Sequence, residues 1–199
     1  VSGNYFGEND DDDGDGDDKG PFLPMLAQTF NPADAIVAGV GPGVGSKKKK
    51  VITFPCFVQP KLDGLRCVSY AVVRTGSNDY EVALQSRTGA FFTGLPHIAA
   101  ALRPYLSQHP SIVIDGELYT DQMPFEELAG LIKKKKITDS DVERLKKVRY
   151  HVYDIYDHCR SNMPYSERLG VLVDAVSHGE IARAIAAGYQ PHGKSENQE

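Results

Sequence analysis

Cysteine is scarce in this chain of 199 residues: Cys56, Cys67 and Cys159 are the full complement. An odd number of thiols without metal-ligand spacing argues against both a disulfide framework and a zinc site. Two of the three lie in strand-like stretches, and all are expected to be reduced core or near-core groups of an intracellular protein. No apolar run approaches the roughly 20 residues that a membrane-spanning helix needs. The N-terminus is polar and then acidic, which is unlike a secretory signal. There is no methionine before Met25, which suggests a processed N-terminus or an incomplete sequence. The six histidines (His97, His109, His151, His158, His178, His192) show no metal spacing, and none is assigned a role. The glycines of "GVGPGVGSKKKK" follow no strand and lead to no Gly-Lys-Ser/Thr, so a phosphate-binding loop is not expected there.

What is present is the composition of a soluble globular protein, 41% hydrophobic and 25% charged. The net charge of −5 is concentrated in "ENDDDDGDGDDKG", residues 8–20, and the rest of the chain is mildly basic. So polar a run cannot bury enough surface to fold. Residues 1–20 are therefore expected to be a disordered acidic tail. Residues 21–50 read as a short helix with Met25, Leu26 and Phe30 on its buried side, followed by a flexible basic linker. Residues 51–187 read as the main domain and 188–199 as a polar tail.

Within the main domain, Ile52–Gln59, Arg66–Arg74 and Tyr80–Arg87 alternate as three antiparallel strands. Apolar residues at Ile98, Leu102 and Leu106 predict a helix over "LPHIAAALRPYLSQH". A short buried strand, "SIVIDGELY", comes next. Helices are expected over "PFEELAGLIKKKK" and "SDVERLKK", a strand over "VRYHVYDIYD", and helices over "PYSERLGVLVDAVS" and "HGEIARAIAAG". This order points to an α+β fold with a mostly antiparallel sheet.

One stretch resists a purely structural account. In "FPCFVQPKLDGLRCVSY", residues 54–70, Lys61 interrupts an apolar segment, and Asp63-Gly64 and Arg66 follow at once. Asp-Gly is a common hairpin turn, and a hairpin between Ile52–Gln59 and the strand from Arg66 is the plain reading. It leaves the cluster of charges unexplained. A fixed cation beside a half-buried lysine favours the neutral, nucleophilic amine, so Lys61 is a candidate covalent nucleophile.

Three further stretches fall in step with it. "LQSRTG" puts Arg87 at a strand end, "VIDGELY" puts Asp115 and Glu117 on another strand, and "YHVYDIYD" puts Tyr153 and Asp154 on a third. Each alone has an ordinary structural explanation. Together, in this order after "KLDGLR", they resemble the covalent nucleotidyltransferases, and most closely the adenylation domain of ATP-dependent DNA ligases. "PMLAQTF" resembles the segment that precedes the nucleophile in that family, and the resemblance runs over roughly residues 21–170.

The resemblance implies an ATP-grasp-like antiparallel-sheet nucleotidyltransferase domain in which Lys61 takes AMP from ATP with Mg²⁺. It gives nucleotide-binding roles to Gln59 (adenine edge), Arg66 (ribose and phosphate), Arg87 (phosphate of AMP or DNA), Glu117 (ribose hydroxyl or metal) and Tyr153 (adenine stacking). Nicked duplex DNA is the implied partner, in repair, replication or recombination, in a nucleus or another DNA-containing compartment. Two family motifs expected further on, a Glu-Gly strand and a pair of lysines, are not seen in "QPHGKSENQE". The expectation is of a truncated form, incomplete at its C-terminus. An RNA ligase or mRNA-capping guanylyltransferase shares the lysine motif, and a non-catalytic nucleotide- or DNA-binding remnant is the non-enzyme alternative. The lysine runs 47–50 and 133–136 read as solvated faces, with a nuclear address or a DNA-backbone contact as alternatives.

Overall fold

The computed structural model describes Pro24, residues 57–74, Gly76, residues 79–178 and Ile181. The expected acidic tail, the N-terminal helix and linker, the segment Ile52–Cys56 and the last helix lie outside the described residues. By its internal contacts the chain divides into a unit of Met25–Lys61 and a unit made of the rest. Of the smaller unit, Phe57–Lys61 are described, exposed residues that are neither helix nor strand.

The larger unit is built on four strands: β1 (Leu65–Val73), β2 (Tyr80–Ser86), β3 (Ile112–Tyr119) and β4 (Arg149–Asp157). They lie in the order β2-β1-β3-β4, and every pairing is antiparallel. The α+β class expected from the sequence is thus the class observed. β1 and β2 form a hairpin in register from Cys67↔Ser86 to Val73↔Tyr80. Their side chains are rich in the branched and aromatic types that pack well on a pleated surface.

The hairpin expected across Asp63-Gly64 is not seen among the described residues. From Cys67 to Tyr70, β1 already has β2 on one edge and β3 on the other. A returning strand from the Ile52–Gln59 side has no free edge there, and Phe57–Gln59 are not strand. Asp63-Gly64 is a bend leading into β1.

Helix α1 (Pro96–Gln108) opens with a proline at its first turn, where the missing N–H costs nothing. Ile98, Leu102, Tyr105 and Leu106 make its buried stripe. Helices α2 (Phe125–Ile132), α3 (Asp139–Leu145) and α4 (Tyr165–Ser177) add Leu128, Leu131, Ile132, Leu145, Leu172 and Ala175 to the same core. That core lies on the sheet face carrying Leu65, Cys67, Leu84, Ile114, Leu118, Tyr150 and Ile155. None of the described helices is long and apolar enough to cross a membrane.

Gly116 has a specific steric task on that face. A Cβ built there would lie 2.8 Å from the Tyr150 ring and 2.5 Å from the His151 carbonyl oxygen. Without it, the fully buried Tyr150 ring crosses β3. Its hydroxyl then lies 2.9 Å from both the Cys67 and the Ile114 carbonyl oxygens, on two different strands. A phenol so enclosed is held well above its ordinary pKa, first by burial.

The α2–α3 connection is organised by Asp141. Its carboxylate accepts from the Thr138 backbone N–H at 2.9 Å, the Thr138 hydroxyl at 2.6 Å and Lys134 Nζ at 2.6 Å. Thr138 and Asp141 together form a capping box for α3. These bonds to the charged form hold the carboxyl far below its ordinary range, Lys134 being the largest cause. A depressed carboxylate stabilises the fold above its unfolded pKa, about 3.9, and the contribution is lost as pH falls through the folded value. Denaturation midpoints of wild type and Asp141→Asn should therefore differ clearly at pH 7 and converge progressively below about pH 4. A gap that stays constant down to pH 2 would contradict this role.

Candidate functional site

Strand periodicity decides what shares a face. On β3, Asp115 and Glu117 are two residues apart, so both project from the side opposite the helices, with Gly116 on the helix side. The register sets Arg66 of β1 opposite Glu117, and Val68 opposite Asp115. Arg66 reaches diagonally to Asp115, with Nε donating to Oδ1 at 2.6 Å and Nη2 donating to Oδ2. Bidentate pairing of this kind fixes a guanidinium in both position and orientation. The side chains are 22% and 18% exposed, so much of the charge is out of water.

Each of the two groups shifts the titration of the other. For Arg66, burial alone would lower the pKa, but the hydrogen bonds and charge of Asp115 raise it. For Asp115, burial pushes the carboxyl up against the pull of Arg66. Both carboxylate oxygens accept hydrogen bonds, so the pair is ionised, and the upward push measures the cost of burial. The sequence reading groups Arg66 with Lys61 and Asp63 in one turn; in the structure its charge is matched by Asp115.

On β4 the ladder passes from Val152↔Gly116 to Asp154↔Asp115, which makes Tyr153 the extra residue of a β-bulge. As a result, Tyr153 and Asp154 both serve the face that carries Asp115. The Arg66 guanidinium carbon lies 5.0 Å from the Tyr153 ring centroid, a cation–π contact. Burial first, then the charge of Asp115, raises the Tyr153 hydroxyl far above its ordinary pKa, so it stays a neutral phenol. The Tyr153 carbonyl accepts from the Tyr165 hydroxyl at 3.3 Å. Asp154 holds Arg168 of α4 through two 2.8 Å bonds. The bulge is thus tied to α4 on both sides.

Gly64 is the second glycine demanded by close approach. A Cβ there would stand 2.3 Å from the Leu118 carbonyl oxygen and 2.8 Å from Glu117 Cγ. The bend at Asp63-Gly64 therefore packs directly on the end of β3. Lys61 precedes Gly64 by three residues and is exposed, as is Gln59. Both belong to the Met25–Lys61 unit.

Arg87 is exposed in the loop after β2. There Ser86 N donates to the Ala90 carbonyl at 2.8 Å, Ser86 Oγ accepts from Ala90 N at 3.1 Å, and Gly89 takes φ +91°. Only glycine adopts that conformation readily, which explains the "SRTG" spelling. Of the residues singled out from the sequence, Arg66, Glu117 and Tyr153 converge on one sheet face. Arg87 stands on a loop tip, exposed.

Asp115 has no role in the sequence reading and a central one in the structure. The signal was available: it lies two positions before Glu117, hence on the same face. His151 also received no role, and it sits opposite Glu117 in the ladder. Its ring meets Tyr119 edge-on at 5.5 Å between centroids, and its buried Nδ1 has no hydrogen-bond partner among the described residues. Burial, then the charge of Arg149, lowers its pKa. Among the described residues no group of three or more His, Cys, Asp or Glu could hold a metal ion. Mg²⁺ is usually bound by one or two carboxylates together with substrate phosphates. Glu117 suits an ion that arrives with a nucleotide.

A family model described as "ATP dependent DNA ligase domain" matches residues 24–196. The chain belongs to this family. Among curated proteins, the DNA ligases of two African swine fever virus isolates, Tick/South Africa/Pretoriuskop Pr4/1996 and Warthog/Namibia/Wart80/1980, are each 30% identical to it over 124 residues. The aligned stretch is 62% of this chain and 27% of each viral protein, so the chain spans about a quarter of the length of these relatives. Among solved structures, Pmar-Lig_PreS3 is similar with a TM-score of 0.45 and 22% identity, over 63% of this chain and 28% of that one. The ATP-dependent DNA ligase from bacteriophage T7 in complex with ATP gives a TM-score of 0.43 and 16% identity, over 64% and 45%.

The Arg66–Asp115 pair yields an energetic prediction. Removing one partner strands the other's charge in a half-buried site, whereas removing both does not. Asp115→Ala should cost about 1–3 kcal/mol, and the double variant Arg66→Met, Asp115→Ala should cost less than the sum of the two single changes. Strict additivity in urea denaturation would show that the two groups act independently.

Proposed function

We propose that this chain forms the lysine-adenylating part of an ATP-dependent DNA ligase. The observation that carries the reading is the convergence of Arg66, Asp115, Glu117 and Tyr153 on one sheet face, in a member of this family, with "KLDGLR" leading into β1. ATP binds over that face. The Lys61 amine attacks the α-phosphorus, an N–P bond forms, and the P–O bond to the β-phosphate breaks. Pyrophosphate leaves with its electron pair, and the ammonium proton goes to solvent. Phosphoryl transfer of this kind depends on position and charge neutralisation more than on proton chemistry. Glu117 would hold a Mg²⁺ that arrives with the phosphates, which would neutralise their charge, or would pair with a ribose hydroxyl.

Tyr153 stacks on the adenine, because a neutral aromatic face suits a flat base. Gln59 reads the edge of the base. Arg66, oriented by Asp115, contacts ribose and phosphate, and Arg87 reaches the phosphate of AMP or DNA from its exposed loop. AMP then passes to a 5′-phosphate at a nick in duplex DNA, and the 3′-hydroxyl displaces it. The setting would be DNA repair, replication or recombination in a DNA-containing compartment.

The nucleophile is tested by labelling. In a chain as long as the curated relatives, incubation with ATP and Mg²⁺ should add one adenylyl group at Lys61, and Lys61→Ala should abolish it while the fold persists. Undiminished labelling of that variant would remove Lys61 from the chemistry, and labelling by GTP in preference to ATP would favour a capping enzyme.

Stacking is tested separately by calorimetric titration with ATP. Tyr153→Phe should retain affinity, whereas Tyr153→Ala should lose about 1–3 kcal/mol, the range for base–aromatic stacking. Equal affinity for the alanine variant and wild type would reduce Tyr153 to a packing residue.

A further inference from the structure

The α2–α3 connection carries four consecutive lysines, Lys133–Lys136, all exposed. They are not equivalent. Lys134 turns to the Asp141 carboxylate at 2.6 Å, the same carboxylate that caps α3 through Thr138. At the far end of α3, Arg144 is matched by Glu127 and Lys146 by Glu143, while Lys147, like the three other lysines of the connection, has no ion pair among the described residues. Lys133, Lys135 and Lys136 have no ion pair among the described residues. Asp141 therefore pins the connection, with one amine drawn to it and three left to solvent.

Three like charges on so short a pinned segment repel one another; Asp141, Glu127 and Glu143 on α2 and α3 are engaged by other cations, while Glu126 and Asp139 make no ion pair among the described residues. A row of anions at phosphate spacing would relieve that repulsion. The site residues Arg66, Asp115 and Glu117 project from the other side of the sheet, opposite the core that α2 and α3 help to build. This surface is therefore separate from the nucleotide face.

We propose that Lys133, Lys135 and Lys136 form a second contact with duplex nucleic acid, gripping backbone phosphates away from the nucleotide face. The proposal rests on the DNA-directed reading above for its choice of partner. The contact is sequence-independent, since flexible amines address phosphates and read no base edges. It adds to retention on the duplex and takes no part in adenylation.

The test is the salt dependence of binding to an intact 30-base-pair duplex, measured by fluorescence anisotropy without ATP, for the 199-residue chain. The triple variant Lys133→Ala, Lys135→Ala, Lys136→Ala should reduce the slope of log K against log salt by about 2–3, at about 0.9 for each phosphate no longer neutralised. The triple arginine variant should restore the slope, and Lys146→Ala should leave it unchanged. An unchanged slope in the triple alanine variant, or no duplex binding by the wild-type chain, overturns the proposal. So does polyglutamate binding of equal strength that is lost in the same variant, because the surface would then be a general polyanion site. The measurement requires no nucleotide chemistry. Failure of Lys61 to take AMP would sink the ligase reading without touching this result, and an unchanged slope would sink this surface alone.

Discussion

The meeting of Arg66 with Asp115 is the interaction on which the candidate site depends. A guanidinium that is less than a quarter exposed keeps its charge only if something nearby compensates it. Asp115 does so with both oxygens and also fixes the plane of the group. That plane sets how Arg66 lies against Tyr153, and the Glu117 carboxylate sits directly across the ladder from Arg66. Remove the aspartate and the remaining charges lose their common reference. The pair also crosses from β1 to β3, so it reports directly on the register of the two central strands. A slip of one residue would send Arg66 into the apolar core.

Two glycines make that register possible from opposite sides. Gly116 leaves the helix side of β3 bare, and the Tyr150 ring passes over it to reach the carbonyls of β3 and β1. Gly64 lets the chain that follows Lys61 press against the end of β3 beside Glu117. Both are needed because a backbone or ring comes too near for a methyl group. Neither adopts the left-handed conformation; among the described glycines that belongs to Gly76 and Gly89.

Much of this was legible in the sequence, for definite reasons. The β1–β2 hairpin, α1 and the buried strand β3 follow from alternation and from helical spacing, and their observed bounds differ by a residue or two at the ends. Arg66, Glu117 and Tyr153 were identifiable by motif, and each lies on the sheet face they share. The hairpin across Asp63-Gly64 was expected because local turn chemistry cannot reveal that both edges of β1 are taken by strands from elsewhere in the chain. The role of Asp115 was missed for a related reason. Its partner is 49 positions away, and only the antiparallel register brings them diagonal to each other. The Arg168 clamp on Asp154 and the buried Nδ1 of His151 are likewise products of tertiary packing that leave no local trace.

The bulge in β4 separates two demands usually made of the same residue. Every neighbour of Tyr153 is committed by the ladder: Val152 and Ile155 to the core, Asp154 to the position across from Asp115. Tyr153 is supernumerary in that count. Excising it would leave those pairings in phase, so the side chain at this point is open to exchange without renegotiating the sheet. Substitution at this one position can change the surface of the sheet face while the architecture around it stays fixed.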